Sequence, residues 1–461
     1  MIIDAKDQKK SLSHYLIKAE TIKRASDIFA KILGLANSYF IISSLSVFSF
    51  GFYQLILSFI SILRSLGIRF FDGLVAIDMR RYFNTQKTDY AKRLFLENAV
   101  FKCGVAIVMA NAVFFGADLI AGWYGKDISI LIKWASALLI TNAFQSLTAV
   151  FLDSVVSFNQ NFLALLREFL KLILILYFVF FAQFGILQVI IAHVVSEIIA
   201  VTVFSTFVFI KNYRKAFVAI RAKAEHLLIP LIKNYGSRVF AVFTLKEVLQ
   251  DSVPWLIKFF VNTEGVALYS LSVNLISLMQ DLIPMSGMKP LLVLKADDPG
   301  QFRFLFSRSI KYVFWFGTLL LIASFIIVPP FVKLLFPDYA PAIPIFWAMA
   351  LALPIYGVVK VIAIALATLR EYTILTMRLV NEILILFIGS AILLPSIGMI
   401  GIGLIYFVRH LERLIFLYTR LVKKHAGFKI KFINLFKFDD IDRQFIRKIF
   451  HNLFLVYWKR V

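Results

Sequence analysis

Basic side chains set inside apolar sequence are the residues of this chain with the most chemistry to offer. Arg24 stands at the head of one apolar stretch, and Lys31 lies within it. Arg238 heads a second stretch that also carries Lys246, Glu247, Asp251 and Lys258. An ionised group at bilayer depth is costly, so it faces a wet cavity or a partner. Arg24, Lys31, Arg238, Lys246 and Lys258 therefore predict a cationic binding site, suited to a phosphate or pyrophosphate. Arg24 and Arg238 sit at stretch ends, where a basic side chain also has the plainer option of snorkelling to the headgroups. Lys31 and Lys246 lie deeper, where a cavity is the better explanation.

The stretch after Arg238 is the least apolar of the long ones. Lys246 and Gln250 share one helical face, as do Glu247 and Asp251. Pro254 follows and is expected to kink or break the helix. A polar, broken helix in a membrane chain points to a binding site. Gln280 and Asp281 extend that polar wall. Acidic groups can couple transport to an ion, and Asp251 and Asp281 are candidates. His193 and Glu197, four residues apart, could relay protons; the commoner role of such a pair is a hydrogen bond between helices. Glu168 is expected to pair with Arg167 or Lys171, and Glu382 with Arg378. No organic cofactor is expected, only a coupling H+ or Na+. The single cysteine, Cys103, forms no intramolecular disulfide and offers no metal cluster.

Twelve apolar stretches must position these groups. They lie near 28–47, 50–67, 95–116, 130–151, 164–183, 186–210, 238–260, 266–288, 312–335, 343–368, 374–394 and 398–419. Each is long enough, at about 17–25 residues, to cross a bilayer as a helix. The chain is 60% hydrophobic, its mean hydropathy is +0.83, and no soluble domain fits between the stretches. Lys and Arg crowd alternate connections, including 211–233 and everything after 419, while the other connections hold only Lys126 and Lys333. Basic loops mark the cytoplasmic side, so both termini are expected there, in a bacterial inner membrane. The net charge of +23 is accounted for by these loops facing anionic lipid, and nucleic acid is not an expected partner. Residues 1–27 are too polar for a cleaved signal.

The two halves read alike. Trp134 and Trp347 are 213 residues apart, Gly185 and Gly398 likewise, and Gly51 and Gly265 are 214 apart. At that spacing Arg24 falls beside Arg238 and Lys31 beside Lys246. Six spans per half gives a parallel repeat about an axis along the membrane normal. The expected fold is all-α and integral to the membrane, with twelve transmembrane helices in two six-helix lobes related by a pseudo-twofold axis. The expected divisions are a cytoplasmic segment 1–27, a first lobe 28–210, a connector 211–233, a second lobe 234–419 and a basic tail 420–461. Residues 440–460 read as an amphipathic helix lying on the membrane surface, with docking to a partner as the alternative.

Gly51-Phe52-Tyr53 and the segments Leu335-Phe336-Pro337-Asp338-Tyr339-Ala340-Pro341-Ala342 and Leu394-Pro395-Ser396-Ile397-Gly398-Met399-Ile400-Gly401, in this order in a twelve-span frame, resemble the polysaccharide (O-antigen, Wzx-like) flippases of the MOP exporter superfamily. The resemblance covers roughly residues 24–424. It implies a MATE-like fold, a cationic central cavity, and movement of an undecaprenyl-diphosphate-linked oligosaccharide by alternating access. That oligosaccharide would be the repeat unit of an O-antigen, capsule or exopolysaccharide. A polysaccharide polymerase or glycosyltransferases are the protein partners it suggests. The two additional helices of the lipid II exporter branch are not expected. Arg64-Ser65-Leu66-Gly67-Ile68-Arg69-Phe70-Phe71-Asp72 departs from the family's common pattern. Two other functions were weighed. A cation-coupled drug antiporter of the same superfamily calls for an acidic cavity, against which Lys31, Lys246 and Lys258 argue. A membrane glycosyltransferase or polymerase calls for a sizeable outer loop, and the outer connections here are short.

Overall fold

The computed structural model describes Ser26 and residues 28–443, apart from 125–127, 156–159, 183, 240–243, 286–291, 293–297, 370, 431, 438 and 441. Helices account for nearly all of it, and no strand occurs among the described residues. In chain order they are α1 (Ile28–Ser44), α2 (Val47–Gly67), α3 (Asp72–Asn84), α4 (Thr88–Phe115), α5 (Ala117–Tyr124), α6 (Ser129–Ser154), α7 (Gln160–Phe181), α8 (Ile186–Val208), α9 (Arg214–Phe217), α10 (Leu228–Val239), α11 (Leu245–Phe260) and α12 (Thr263–Asp281). After these come α13 (Pro299–Leu335), α14 (Ala342–Ala350), α15 (Leu353–Thr368), α16 (Tyr372–Ile397) and α17 (Met399–Lys424).

Over most of its described residues, every apolar stretch of the sequence coincides with helix, for 343–368 with the pair α14 and α15. Among the described residues, six helices are long and apolar enough to cross a membrane, seven if α14 and α15, bent by 44° at their junction, are one span. These helices make the chain a multi-pass membrane protein. Four helices, α3, α5, α9 and α10, lie or begin where the sequence suggested only connections. The turns of α3 place Val75, Ala76 and Met79 inside and leave Arg80 exposed. Helix α5 follows α4 directly, and α10 begins inside the expected connector. The helix carrying Pro254 is not broken: α11 runs from Leu245 to Phe260 with the proline inside. Proline removes only its own bond to the Gln250 carbonyl. Next to that carbonyl, the carbonyl of Asp251 gains a hydrogen bond from the Ser58 hydroxyl of α2, the kind of repair that tolerates proline in apolar bundles.

The described chain falls into two compact units. The first comprises Met1–Leu271, Pro330–Ile343 and Ser390–Met399; the second comprises Ser272–Pro329, Pro344–Gly389 and Ile400–Val461. A core in the first unit packs Phe71, Val75 and Met79 of α3 against Leu94 of α4, Phe151 of α6, Phe204 of α8 and Phe217 of α9. The connector is fastened to α4 through charge. Lys92 donates to the carbonyls of Phe217 and Ile220 at 2.9 and 2.6 Å. Glu97 accepts from the backbone N–H groups of Leu227 and Leu228 at 2.9 and 2.8 Å, capping the start of α10 where an anion is favoured.

Between apolar helices in lipid there is little hydrophobic drive, so close approach through small residues sets the packing. A Cβ on Gly51 would run into the Thr263 carbonyl at the start of α12. In the second unit, a Cβ on Gly317 of α13 would meet the Leu353 carbonyl at 2.5 Å, and one on Gly403 of α17 the Ile345 carbonyl at 2.7 Å. The end of the described chain closes on α13. Trp315 donates to the Leu435 carbonyl at 2.7 Å, and its ring meets Phe436 at 5.5 Å. Asp442 is buried against Arg308, Lys311 and Tyr312. The expected helix over 440–460 lies largely outside the described residues, beyond Arg443.

Burial pushes the Asp442 carboxyl up, but bonds from Lys311, the Asp439 backbone, Tyr312 and Arg308 outweigh it and hold the group well below the usual carboxylate range. A carboxyl depressed in the folded state stabilises fully above its unfolded value of about 3.9 and loses that contribution as pH falls below it. Asp442→Asn should speed hydrogen exchange over residues 428–437 at pH 7 by about tenfold, ~1.4 kcal/mol. In the parent protein the same exchange, corrected for intrinsic rates, should accelerate only below about pH 4. Gly51→Leu should lower the melting temperature in detergent by several degrees, while Gly104→Leu, whose Cβ meets nothing within 4 Å, should leave it in place.

Candidate functional site

Polar groups recur along α2 at helical spacing: Tyr53, Ser58, Ser61, Arg64 and Ser65, with Arg69 just past its end. Residues three and four apart share a helix face, so α2 presents one polar stripe. Polar residues within apolar helices face a bundle interior, and here Tyr53, Ser58, Ser61, Ser65 and Arg69 each meet a polar group from another helix of the first unit, while Arg64 bonds Ser61 of its own. The Tyr53 hydroxyl and His193 Nδ1 of α8 are paired at 2.8 Å. Ser61 donates to Asp251 Oδ2 at 2.5 Å and receives Arg64 at 2.7 Å. Ser65 donates to Glu247 Oε2 at 2.9 Å. Helix α11, expected to line a site, thus lays its acidic face along the serines of α2.

Beside Tyr53 and His193 lies an ion cluster. Glu168 of α7 accepts from Asn37 of α1 at 2.9 Å. It pairs with Lys171 at 3.1 Å and Arg167 at 3.2 Å. Arg167 also reaches the buried Glu197 of α8, at 3.6 Å. His193 and Glu197 occupy one face of α8 as their spacing requires, yet their polar atoms go to different partners, Tyr53 and Arg167. The second unit holds a similar cluster. The buried Glu382 of α16 takes Arg378 of its own helix at 3.3 Å, with Arg409 and Arg413 of α17 on its other oxygen. Next to it Asn381 donates to Glu412 at 2.8 Å, and Gln280 of α12 donates to Tyr406 at 2.6 Å. Glu168 and Glu382 are 214 residues apart, the spacing of Gly51 and Gly265.

Past the end of α2 the stripe opens into a polar cavity of about 390 Å³, lined by Arg69, Phe70, Asp72, Gln145, Ser146 and Glu247 among others. Arg69 donates to Gln145 at 3.2 Å. Asp72 pairs with Lys102, whose side chain is fully buried, and accepts from Ser146 at 2.6 Å. Sequence reasoning missed Arg64, Lys102 and Gln145 and counted Arg69 as loop charge. One signal was available: Lys102 lies in mid-stretch, where a lysine needs a counter-ion.

The expected cationic residues lie elsewhere on these helices. Lys31 and Lys246 are exposed. Lys258 is half-buried, its ammonium over the Trp255 ring at 5.6 Å. Asp281, the last residue of α12, is exposed. Arg24 and the side chain of Arg238 lie outside the described residues. Among the polar groups joined along α2, five bases (Arg64, Arg69, Lys102, Arg167, Lys171) face five acids (Asp72, Glu168, Glu197, Glu247, Asp251). Helices α1 and α11 also carry Lys31, Lys246 and Lys258.

Removing one partner from a buried ion cluster costs about 3–5 kcal/mol, because the remaining charges are left uncompensated. Glu382→Gln should therefore lower thermal stability in detergent sharply, and adding Arg409→Leu should restore part of the loss. A Glu382 that mattered only by shape would tolerate glutamine, and the second change would then be harmful.

No protein-family model matches the chain, and no curated protein matches it in sequence. Solved structures do match. One is the inward-facing conformation of a multidrug resistance MATE family transporter of the MOP superfamily, with a TM-score of 0.67, 13% identity, and coverage of 86% of this chain and 96% of that one. Another is the lipid II flippase MurJ in an inward closed conformation, with a TM-score of 0.66, 15% identity, and coverage of 95% and 97%. A MOP superfamily transporter from Pyrococcus furiosus, described as having a binding pocket of reversed polarity, matches with a TM-score of 0.51 and 13% identity over 90% of this chain and 94% of that one. The structural neighbours are MOP superfamily transporters, and their fold is the fold of this chain.

Proposed function

We propose that the chain is an exporter that moves an undecaprenyl-diphosphate-linked oligosaccharide across the bacterial inner membrane by alternating access, with both termini cytoplasmic. One observation carries this reading. The buried Glu197 and Glu382 and the partly buried Glu168 each already hold a cationic side chain. An exporter of cations needs acidic groups free to receive its cargo; here fixed bases occupy them. The ammonium groups that Lys31, Lys246 and Lys258 add on α1 and α11 suit an anionic cargo such as a diphosphate. The likeness to the lipid II flippase supports a cargo built on a lipid diphosphate. The likeness to multidrug MATE transporters keeps cation export as the reading to be tested against it. A polysaccharide polymerase or glycosyltransferase remains a proposed partner.

The deciding experiment is transport in proteoliposomes, with a fluorescent prenyl-diphosphate oligosaccharide and ethidium offered to the same vesicles. Translocation of the lipid without ethidium efflux is expected; efflux without translocation would replace this reading with cation antiport. A charge-assisted hydrogen bond is worth about 1.5–3 kcal/mol, so Lys246→Ala should slow lipid translocation by roughly tenfold while membrane insertion is unchanged. Lys31→Ala should act in the same direction, and normal transport by both would remove the phosphate site.

A further inference from the structure

Two cavities of the first unit meet at a single side chain. The polar one, past the end of α2, presents the Arg69 guanidinium, the Asp72 carboxylate, the Gln145 amide and the Phe70 ring. The second holds about 600 Å³ and is walled by apolar side chains of α4, α6 and α8, among them Phe95, Phe144, Phe151, Ile198 and Phe209. Thr148 lines both. Its hydroxyl bonds back to the Phe144 carbonyl at 2.8 Å and shares a second hydrogen bond with Ser205 at 2.8 Å. Phe144, Ile198 and Phe209 are 48, 39 and 53% exposed, so the apolar cavity opens on the outer flank of helices that are long and apolar enough to span a membrane. A polar pocket and an open hydrocarbon-lined groove, separated by one threonine–serine bridge, form a receptacle with two chemistries side by side.

The polar pocket is built for a head rich in hydroxyls. Carboxylate, amide and guanidinium groups hydrogen-bond hydroxyl pairs in fixed geometry, and the Phe70 ring offers an apolar face. Its volume falls within the range of about 300–1,000 Å³ of small-ligand pockets. Neither cavity includes Lys31, Lys246 or Lys258. We propose that this pair of cavities is a lateral binding site for a lipid-linked saccharide, with a sugar of the head held at Asp72, Gln145 and Arg69 and the first part of its hydrocarbon chain lying in the groove between α4, α6 and α8. This rests on the reading of the chain as a carrier of such lipids, and it names where one is taken from the bilayer. A lipid bound at both ends is selected over one that offers only a chain, because a phosphatidylethanolamine headgroup lacks the hydroxyls to satisfy the pocket.

The test uses full-length protein in phosphatidylethanolamine–phosphatidylglycerol nanodiscs and two photoreactive probes. One is a prenyl-diphosphate disaccharide with a diazirine on the prenyl chain; the other is a phosphatidylethanolamine with the diazirine on an acyl chain. Adducts are mapped by mass spectrometry. The disaccharide lipid should label peptides containing 140–151 and 198–209, and excess unlabelled disaccharide lipid should compete. Thr202→Trp, which narrows the groove from its exposed wall, should cut that labelling by about tenfold. Gln145→Leu should weaken disaccharide-lipid labelling and leave phospholipid labelling alone. Equal, uncompeted labelling by both probes, or disaccharide-lipid labelling indifferent to both variants, would overturn the site. Lipid translocation measured on the same proteins separates the two claims. A parent protein that translocates and a Thr202→Trp variant that matches it without labelling would remove the site as the place of uptake and keep the carrier. Competed labelling in a protein that does not translocate would keep the site and remove the carrier.

Discussion

A charge placed among apolar helices must be matched within the bundle, and the arrangement of this chain follows from that requirement. At about 4 Å and an effective dielectric constant near 20, an ion pair is worth about 4 kcal/mol, while stripping each ion of water costs several kcal/mol. A matched pair is thus roughly neutral, and an unmatched one is severely penalised. Such pairs act chiefly by excluding alternatives. Glu168 has to be where Lys171, Arg167 and Asn37 can reach it, and that ties α1 to α7 in one register. Glu197 draws α8 to the same place through Arg167. In the second unit Glu382 sets α16 against α17 by the same logic.

Packing supplies the complementary constraint. Gly51 and Gly317 stand where a Cβ would meet a neighbouring backbone, and Gly51 lets α12 close on α2. Ser58, Ser61 and Ser65 reach α11 instead. The polar stripe of α2 and the small residue at its head thus serve two contacts: the glycine admits one helix closely, and the serines supply hydrogen bonds to the other. The acids of α11 that looked like a binding wall are largely occupied in making this seam.

Bases and acids joined along α2 are equal in number, and α1 and α11 also carry Lys31, Lys246 and Lys258. The polar cavity past α2 differs in character, offering a mixture of hydrogen-bonding groups beside an aromatic ring, and its neighbour across Thr148 is apolar throughout its aromatic walls.

The helices were legible in the sequence because length and apolarity alone mark them, and each of the twelve stretches is helical over most of its described residues. Ion pairs within one helix were legible too. Arg167–Glu168–Lys171 and Arg378–Glu382 were expected and are formed, since neighbours on one helix are brought together by its own geometry. Amphipathic α3 was missed because charge in a connection hides a short apolar face. His193 and Glu197 show where local spacing stops being informative: both sit as spacing dictates, but Tyr53 and Arg167, far away in sequence, offered their polar atoms better partners. The cavities lay wholly beyond the sequence, because each is lined from several helices whose rotation about their axes is chosen by packing. The chain by itself determined its helices, its membrane character and its surplus of positive charge, all of which depend on residues close together or on simple sums. Only the tertiary structure decided which charges cancel, which polar groups face one another and where space remains, because those depend on contacts between different helices, such as Lys102 with Asp72, Arg167 with Glu197 and Tyr53 with His193.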